Sequence, residues 1–433
     1  VLAMRILISD IDTVRQSEGI LSIEKTSVCI EGQHILSVGS QPEGFVPDKI
    51  IRGQNRLLMP GLINAHTHSY MTLFRNYADD LPFHNWLFDH ILPLEDRLTA
   101  EDCYWGSLLA IMEMIRTGTT CFFDMVMFIH ETANAVAESG IRACLSRGLV
   151  GEGSDAGGQR RLKEAKDEIN RWQGSSDELL RFMFSAHAPY TCDPKFLEIV
   201  ITEAKAHDMG LCIHLAESRK EVETIHEKFG VTPTEYLNQI GFLDEHTLAV
   251  HCIYLTESDL DVLAAKKVNV VTNPVSNLKL GNGFAPLKGM KERHINVCLG
   301  TDSAASNNTL NLFKDLQFVT LIHKGVNEDA EMISAEEGFK MATVNGAKAL
   351  GVDRYVGRIE VGMKADLVII DMDQPQFFPK NNLISALAYS ASGYEVETVM
   401  VNGKILYENN EFKTIDAEKV RYHIERISKR LVL

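Results

Sequence analysis

The chain has 433 residues, 45% of them hydrophobic and 24% charged, enough for a sizeable core in two or three domains, or in one α/β barrel plus a smaller domain. Its 59 acidic residues outnumber 43 basic ones, a formal charge of −16, which argues against a nucleic-acid or anionic-membrane surface because phosphate binding relies on clustered Lys and Arg. No stretch approaches the roughly 18 apolar residues of a membrane span.

At the N-terminus, VLAMRILISDIDTVRQ meets acidic residues before a signal-peptide apolar core is complete. The eight cysteines are scattered without a CxxC pair, several inside apolar runs. Buried thiols in a reduced, cytoplasmic protein are expected. Residues 1–56 read as short strands between polar turns: RILISDIDTV, SVCIEGQHILSVG and DKIIRGQN. From there the pattern alternates strand and helix. Candidate strands are LLMPGLINAHTH (57–68), TTCFFDMV (119–126), IRACLSRGL (141–149), LRFMFSAHA (180–188), GLCIHLAE (210–217), TLAVHC (247–252), VNVVTN (268–273) and INVCLGTD (295–302). Amphipathic stretches such as AEDCYWGSLLAIMEMIRTG, DPKFLEIVITEAKAHDMG and TESDLDVLAAKK lie between them. Eight apolar strands, each followed by a helix, predict a closed (β/α)8 TIM barrel; a doubly wound open sheet is the alternative, but no GxGxxG follows the first strand. A β texture returns in KADLVIIDMD and in ETVMVNGKILYENNEF, with an Asn402-Gly403 hairpin signal. The expected architecture is a barrel over 57–358, a smaller β-sandwich-like domain from 1–56 and 359–415, and a C-terminal amphipathic helix over 416–433.

The fifteen histidines carry information through position. His66 and His68 close the first predicted strand, His187 the fourth, His214 the fifth and His251 the sixth, while Asp302 closes the eighth. In such a barrel the C-terminal strand ends surround one pocket, where active sites are built. On a strand, residues i and i+2 share a face, so His66 and His68 turn inward together. With His214 and Asp302 they form a three-nitrogen, one-carboxylate set suited to Zn²⁺ or Fe²⁺; the alternative is a polar, metal-free barrel mouth. Glu217, three residues beyond His214, is placed to handle the protons of a metal-activated water as general acid/base, or else to sit at the start of the next helix and favour its dipole. His251 either polarises the same water or supports a ligand from behind. His187, and no lysine, ends the fourth strand, so one metal is expected and not two. The Asn- and Gly-rich segment 273–284 reads as a loop, either a lid or a plain turn.

PGLINAHTH, HLAES, the His251 strand end, GTDSAASNN and VGMKADLVIID are the strings through which the chain resembles the amidohydrolase superfamily over nearly its whole length. Within it, NPVSNLKLGNG (273–283), GTDSAASNN (300–308) and NWLFDHILPLEDRLTAED (85–102) are most similar to the methylthioadenosine/S-adenosylhomocysteine deaminases. The resemblance implies one Zn²⁺ on His66, His68, His214 and Asp302, with Fe²⁺ or Mn²⁺ accepted by the same ligands. It further implies that Glu217 shuttles a proton to the purine ring, His251 sits against the attacking water, and Asp302 passes protons toward departing ammonia. Glu95 would accept from the ribose hydroxyls, His187 would donate to the purine N3 edge, and Trp86 and Phe88 would line the ring or sulfur side. Arg147 and Arg161 would bind a homocysteine carboxylate, with the adjacent Arg160 as the alternative second contact. The implied partner is a small nucleoside, with no nucleic acid and no membrane; a homo-oligomer is compatible. An s-triazine hydrolase or a guanine or pterin deaminase with the same metal site is the second enzyme reading, and a non-catalytic amidohydrolase-like scaffold the third.

Overall fold

A computed structural model describes residues 3–153, 155–175 and 178–432. The barrel strands are those expected, with shorter bounds: Leu62–Thr67, Thr119–Val126, Arg142–Leu149, a fourth interrupted at Met183 into Leu180–Phe182 and Phe184–Ala186, then Leu211–Leu215, Thr247–His251, Asn269–Thr272 and Val297–Leu299. All neighbours pair in parallel. Thr119–Val126 is buried at every position, as an apolar strand covered on both faces must be. The ring closes at Thr67, which bridges to Asp302, and the Asp302 N–H donates to the His66 carbonyl at 3.0 Å. Closure therefore brings the last expected ligand beside the first two.

Alternate residues fill the barrel interior: Ile63 and Ala65; Cys121, Phe123 and Met125; Leu248 and Val250. Cys144, Cys212 and Cys298 join this layer, where a small apolar side chain fits a narrow cylinder. All eight cysteines are buried free thiols. The helices outside start where the sequence supplies caps. Ala100–Arg116 opens with a Thr99/Asp102 capping box, and Pro194–Ala206 has Asp193 accepting from the Phe196 N–H and a proline in its first turn. Among the described residues, no helix is long and apolar enough to cross a membrane.

The predicted strand over 57–68 is two strands. Arg56–Pro60 pairs antiparallel with Leu367–Asp371 in the terminal sheet, and only Leu62–Thr67 belongs to the barrel. Gly61 is the crossing point, where a Cβ would lie 1.9 Å from the Thr120 hydroxyl. Continuous hydrophobicity hid this break, because both strands are buried. The β-sandwich-like domain expected from the termini is one hydrogen-bonded sheet of nine strands. Ile6, Val28, Ile51, Leu58, Leu367 and Met400, from both ends of the chain, share its core. Asn402 and Gly403 adopt φ of 48° and 71° in its hairpin turn, as two-residue hairpins favour. The last helix, Ala417–Val432, lies on Ala100–Arg116, with His423 stacked on Trp105 at 3.8 Å.

The two sheets are joined by a buried ion pair. Arg142, at the start of the third barrel strand, donates to both carboxylate oxygens of Asp366 at 2.8 and 3.1 Å, with side-chain exposures of 4% and 1%. Breaking one partner strands the other charge in the core, so Asp366→Ala is expected to destabilise the fold by about 3–5 kcal/mol. An unchanged melting temperature would show that the pair contributes nothing.

Candidate active site

Strand ends place the metal-ligating candidates around one point. The Nε2 atoms of His66 and His214 face each other at 3.2 Å, and Asp302 Oδ1 stands 3.6 Å from His66 Nε2 and 3.5 Å from His68 Nε2. His68 Nδ1 lies 2.8 Å from the Met125 carbonyl, and His214 Nδ1 lies 2.7 Å from the His187 carbonyl. A carbonyl can only accept, so both rings carry their proton on Nδ1 and direct an Nε2 lone pair inward. Asp302 Oδ2 accepts from Ser276 Oγ at 2.7 Å and Ser306 Oγ at 3.1 Å, which turns Oδ1 toward the histidines. Burial lowers His66 to about 4 and carries His214 well below its ordinary value, so both are neutral, as ligands must be. Burial works against the Asp302 carboxylate, but the His66 hydrogen bond and the surrounding imidazoles hold it well below the usual range. Three imidazoles whose ring nitrogens lie within 4.8 Å of one another, closed by one carboxylate, make this a divalent-metal site.

Beside it stand Glu217 and His251. Glu217 precedes Ser218, the N-cap of helix Arg219–Phe229, so it lies outside the helix whose start was the alternative place for it. Its Oε2 is 3.6 Å from His251 Nε2, and its Oε1 accepts from Asn282 Nδ2 at 3.2 Å. Burial, then the Asp302 charge, raises Glu217 well above the ordinary carboxylate range. The turn that presents it is clamped by Glu221, which accepts the backbone N–H groups of Ala216 and Glu217 at 2.7 and 3.0 Å. His251 Nδ1 is 2.8 Å from Asn277 Oδ1, which leaves Nε2 for the pocket. Ala216, His251 and Asp302 have φ of 51°, 73° and 62°, left-handed values that cost energy and that tight packing holds at functional turns.

The segment 273–284, expected as a loop, contains a short helix, Pro274–Lys279. Proline pre-sets φ for a first helical turn; Pro274, Val275, Ser276 and Asn277 are buried, and Ser276 and Asn277 hold Asp302 and His251. Asp315 ties it to GTDSAASNN, accepting from the Val275 N–H and from Asn307 Nδ2. Ser276, Asn277, Asn282, Ser306 and Glu221 were not singled out by sequence reasoning. The density of Ser and Asn after the seventh and eighth strands was the available signal.

The candidate substrate residues are placed as follows. Glu95 ends a short helix, Leu92–Glu95; buried Tyr70 donates to its Oε1, and His68 is near enough to act on its charge. Trp86 is buried with its indole N–H unpartnered, whereas Phe88 is 46% exposed and stacks on His84. His187 packs edge-on to His214 at 5.0 Å, with Nδ1 3.1 Å from Thr191 Oγ1. Arg147 is buried at the end of the third strand, Nη1 2.9 Å from Glu164 Oε2. Arg161 donates from Nε and Nη2 to the Val150 carbonyl at 3.2 and 2.6 Å and lies 3.5 Å from Asp155. Arg160 is largely exposed, 3.7 Å from the other oxygen of Glu164.

The amidohydrolase family profile matches residues 57–406. The chain is 46% identical over 429 residues to the 5-methylthioadenosine/S-adenosylhomocysteine deaminase of Caldanaerobacter subterraneus subsp. tengcongensis, covering 99% of each chain. An adenosine deaminase from Xanthomonas campestris, solved with bound zinc, superposes with a TM-score of 0.94 at 31% identity, covering 99% of this chain and 98% of its own. Atrazine chlorohydrolase from Arthrobacter aurescens TC1, solved with zinc, superposes at 0.90 over 98% of this chain and 100% of its own; at 21% identity it shows the shared fold alone. Matched over its barrel by that profile and over its full length by such relatives, with the site's donors in place, the chain belongs to the amidohydrolase family.

Proposed function

We propose that the protein deaminates adenosine-type thioether nucleosides hydrolytically, 5′-methylthioadenosine and S-adenosylhomocysteine among them, to the inosine analogues and ammonia. The observation that carries this reading is Glu217, its Oε2 3.6 Å from His251 Nε2, beside three converged histidine nitrogens and the Asp302 carboxylate. His66, His68, His214 and Asp302 would hold Zn²⁺, the ion present in the adenosine deaminase of similar structure. When bound, such an ion supplies Lewis-acid activation of water at neutral pH.

The chain's own groups do the rest. Glu217 delivers its proton to ring nitrogen N1, which makes the amidine carbon electrophilic, and recovers a proton from the attacking water. His251, its Nδ1 held by Asn277 Oδ1, presents Nε2 to that water and accepts a hydrogen bond from it as its oxygen bonds to carbon. Asp302, its Oδ2 occupied by two serines, relays a proton to the departing amine; the C–N bond breaks, ammonia leaves and the ring carbonyl forms. Glu95, locked by Tyr70, accepts from the ribose hydroxyls; His187 faces N3; Trp86 covers the ring. Arg147, with Arg161 or Arg160, meets the carboxylate of an amino-acid-bearing substrate.

A panel of adenosine derivatives, guanine and chlorotriazines tests the reading. Ammonia release with an adenine-to-hypoxanthine absorbance change is expected on the thioether nucleosides; turnover confined to guanine or a triazine would refute it. Arg147→Ala should lower kcat/KM for S-adenosylhomocysteine about 10-fold or more and spare 5′-methylthioadenosine, since a charged hydrogen bond contributes roughly 1.5–3 kcal/mol. Equal losses on both would remove the carboxylate assignment.

A further inference from the structure

Arg147 already has a carboxylate. Glu164, on helix Ala156–Trp172, sets Oε2 2.9 Å from Arg147 Nη1, while Phe128 holds the guanidinium plane with its ring at 5.8 Å. Glu168, fixed by the backbone N–H groups of Ile129 and His130, acts electrostatically on the same guanidinium. The Glu164 contact is charge pairing without alignment: the Nη1 hydrogens do not point at the oxygen, and Nη1 is a buried donor without a hydrogen-bond acceptor. Arg147 is thus charge-balanced but not satisfied as a donor. A better aligned carboxylate that takes the Nη1 hydrogen bonds must displace Glu164 from its place 2.9 Å away. Arg160, 3.7 Å from Glu164 Oε1, gives the displaced side chain a second cation to move toward.

We propose that Glu164 is a competing carboxylate that sets substrate choice, favouring 5′-thioethers with an uncharged tail over those that end in a carboxylate. The proposal rests on the reading that Arg147 meets the substrate tail. A neutral methylthio group needs nothing from the guanidinium and leaves the ion pair intact. A carboxylate tail that takes Nη1 must break that pair, and because Glu164 is 43% exposed while Arg147 is 9% exposed, salt screens the pair in part, so the bias shrinks as ionic strength rises.

The test is kcat/KM for 5′-methylthioadenosine and S-adenosylhomocysteine, measured at low and high salt on the metal-loaded wild type, Glu164→Gln, Arg147→Ala and the double variant. The wild type should prefer 5′-methylthioadenosine, and Glu164→Gln should shift the ratio toward S-adenosylhomocysteine by about tenfold at low salt and less at high salt. The double variant should lose that shift. A ratio unmoved by Glu164→Gln overturns the competition. A shift the other way, further toward 5′-methylthioadenosine, also overturns it and assigns Glu164 to the substrate's ammonium group. If Arg147→Ala itself leaves the ratio unchanged, the tail assignment fails first, which separates the two readings. Circular dichroism and the melting temperature report folding, and Arg147→Lys serves if the alanine variant does not fold.

Discussion

Glu217→Gln will keep the metal and lose about 10²–10⁴-fold in kcat, the usual contribution of a positioned acid/base. Glutamine preserves the Asn282 contact in shape but has no carboxyl group to give up or recover a proton. KM should change little, because the residue acts on protons in flight more than on the bound ground state. Metal analysis by mass spectrometry alongside steady-state rates separates this outcome from ligand loss. A variant with full metal and near wild-type kcat would show that Glu217 is not the proton carrier.

Removing the metal will abolish turnover and lower thermal stability together. The Nε2 atoms of His66 and His214, 3.2 Å apart, gain a common partner only when a cation is bound, and the unfolded chain offers no such cluster. A ligand at a thousandfold excess over its Kd adds about 4 kcal/mol to the folded state, so the apoprotein should melt several degrees lower. Chelation followed by stoichiometric Zn²⁺ should restore both rate and melting temperature, and Fe²⁺ or Mn²⁺ in the same reconstitution ranks the metals. Full activity without any bound transition metal would remove the metal from the chemistry and reopen the scaffold reading.

Both predictions concern residues whose type and place were readable along the chain. The His66-x-His68 pair, His214 and Asp302 each sit at the end of an apolar run, and a strand's period of two aims such residues without knowledge of the rest of the fold. Glu217 was readable as a carboxylate just past a strand end, although sequence left open whether the helix began before or after it; Ser218, as N-cap, places it outside. The supports were harder to see. Ser276, Asn277 and Asn282 lie in a string that reads equally well as a turn, because Asn and Gly favour turns wherever they occur. The break at Gly61 was hidden because a strand buried in a sheet and one buried in a barrel have the same apolar composition.

Local pattern was sufficient for strand order, the barrel, the β-rich character of both termini and the three histidines that the fold brings together, since each depends on a few neighbouring residues and a repeating period. Tertiary contact alone determined which oxygen of Asp302 faces the histidines, which nitrogen of His251 faces Glu217, and that Glu164 stands against Arg147. These are directional properties of side chains brought together from different elements. Hydrogen-bond partners and charge balance exist only once the ring has closed, and no periodicity in the chain encodes them.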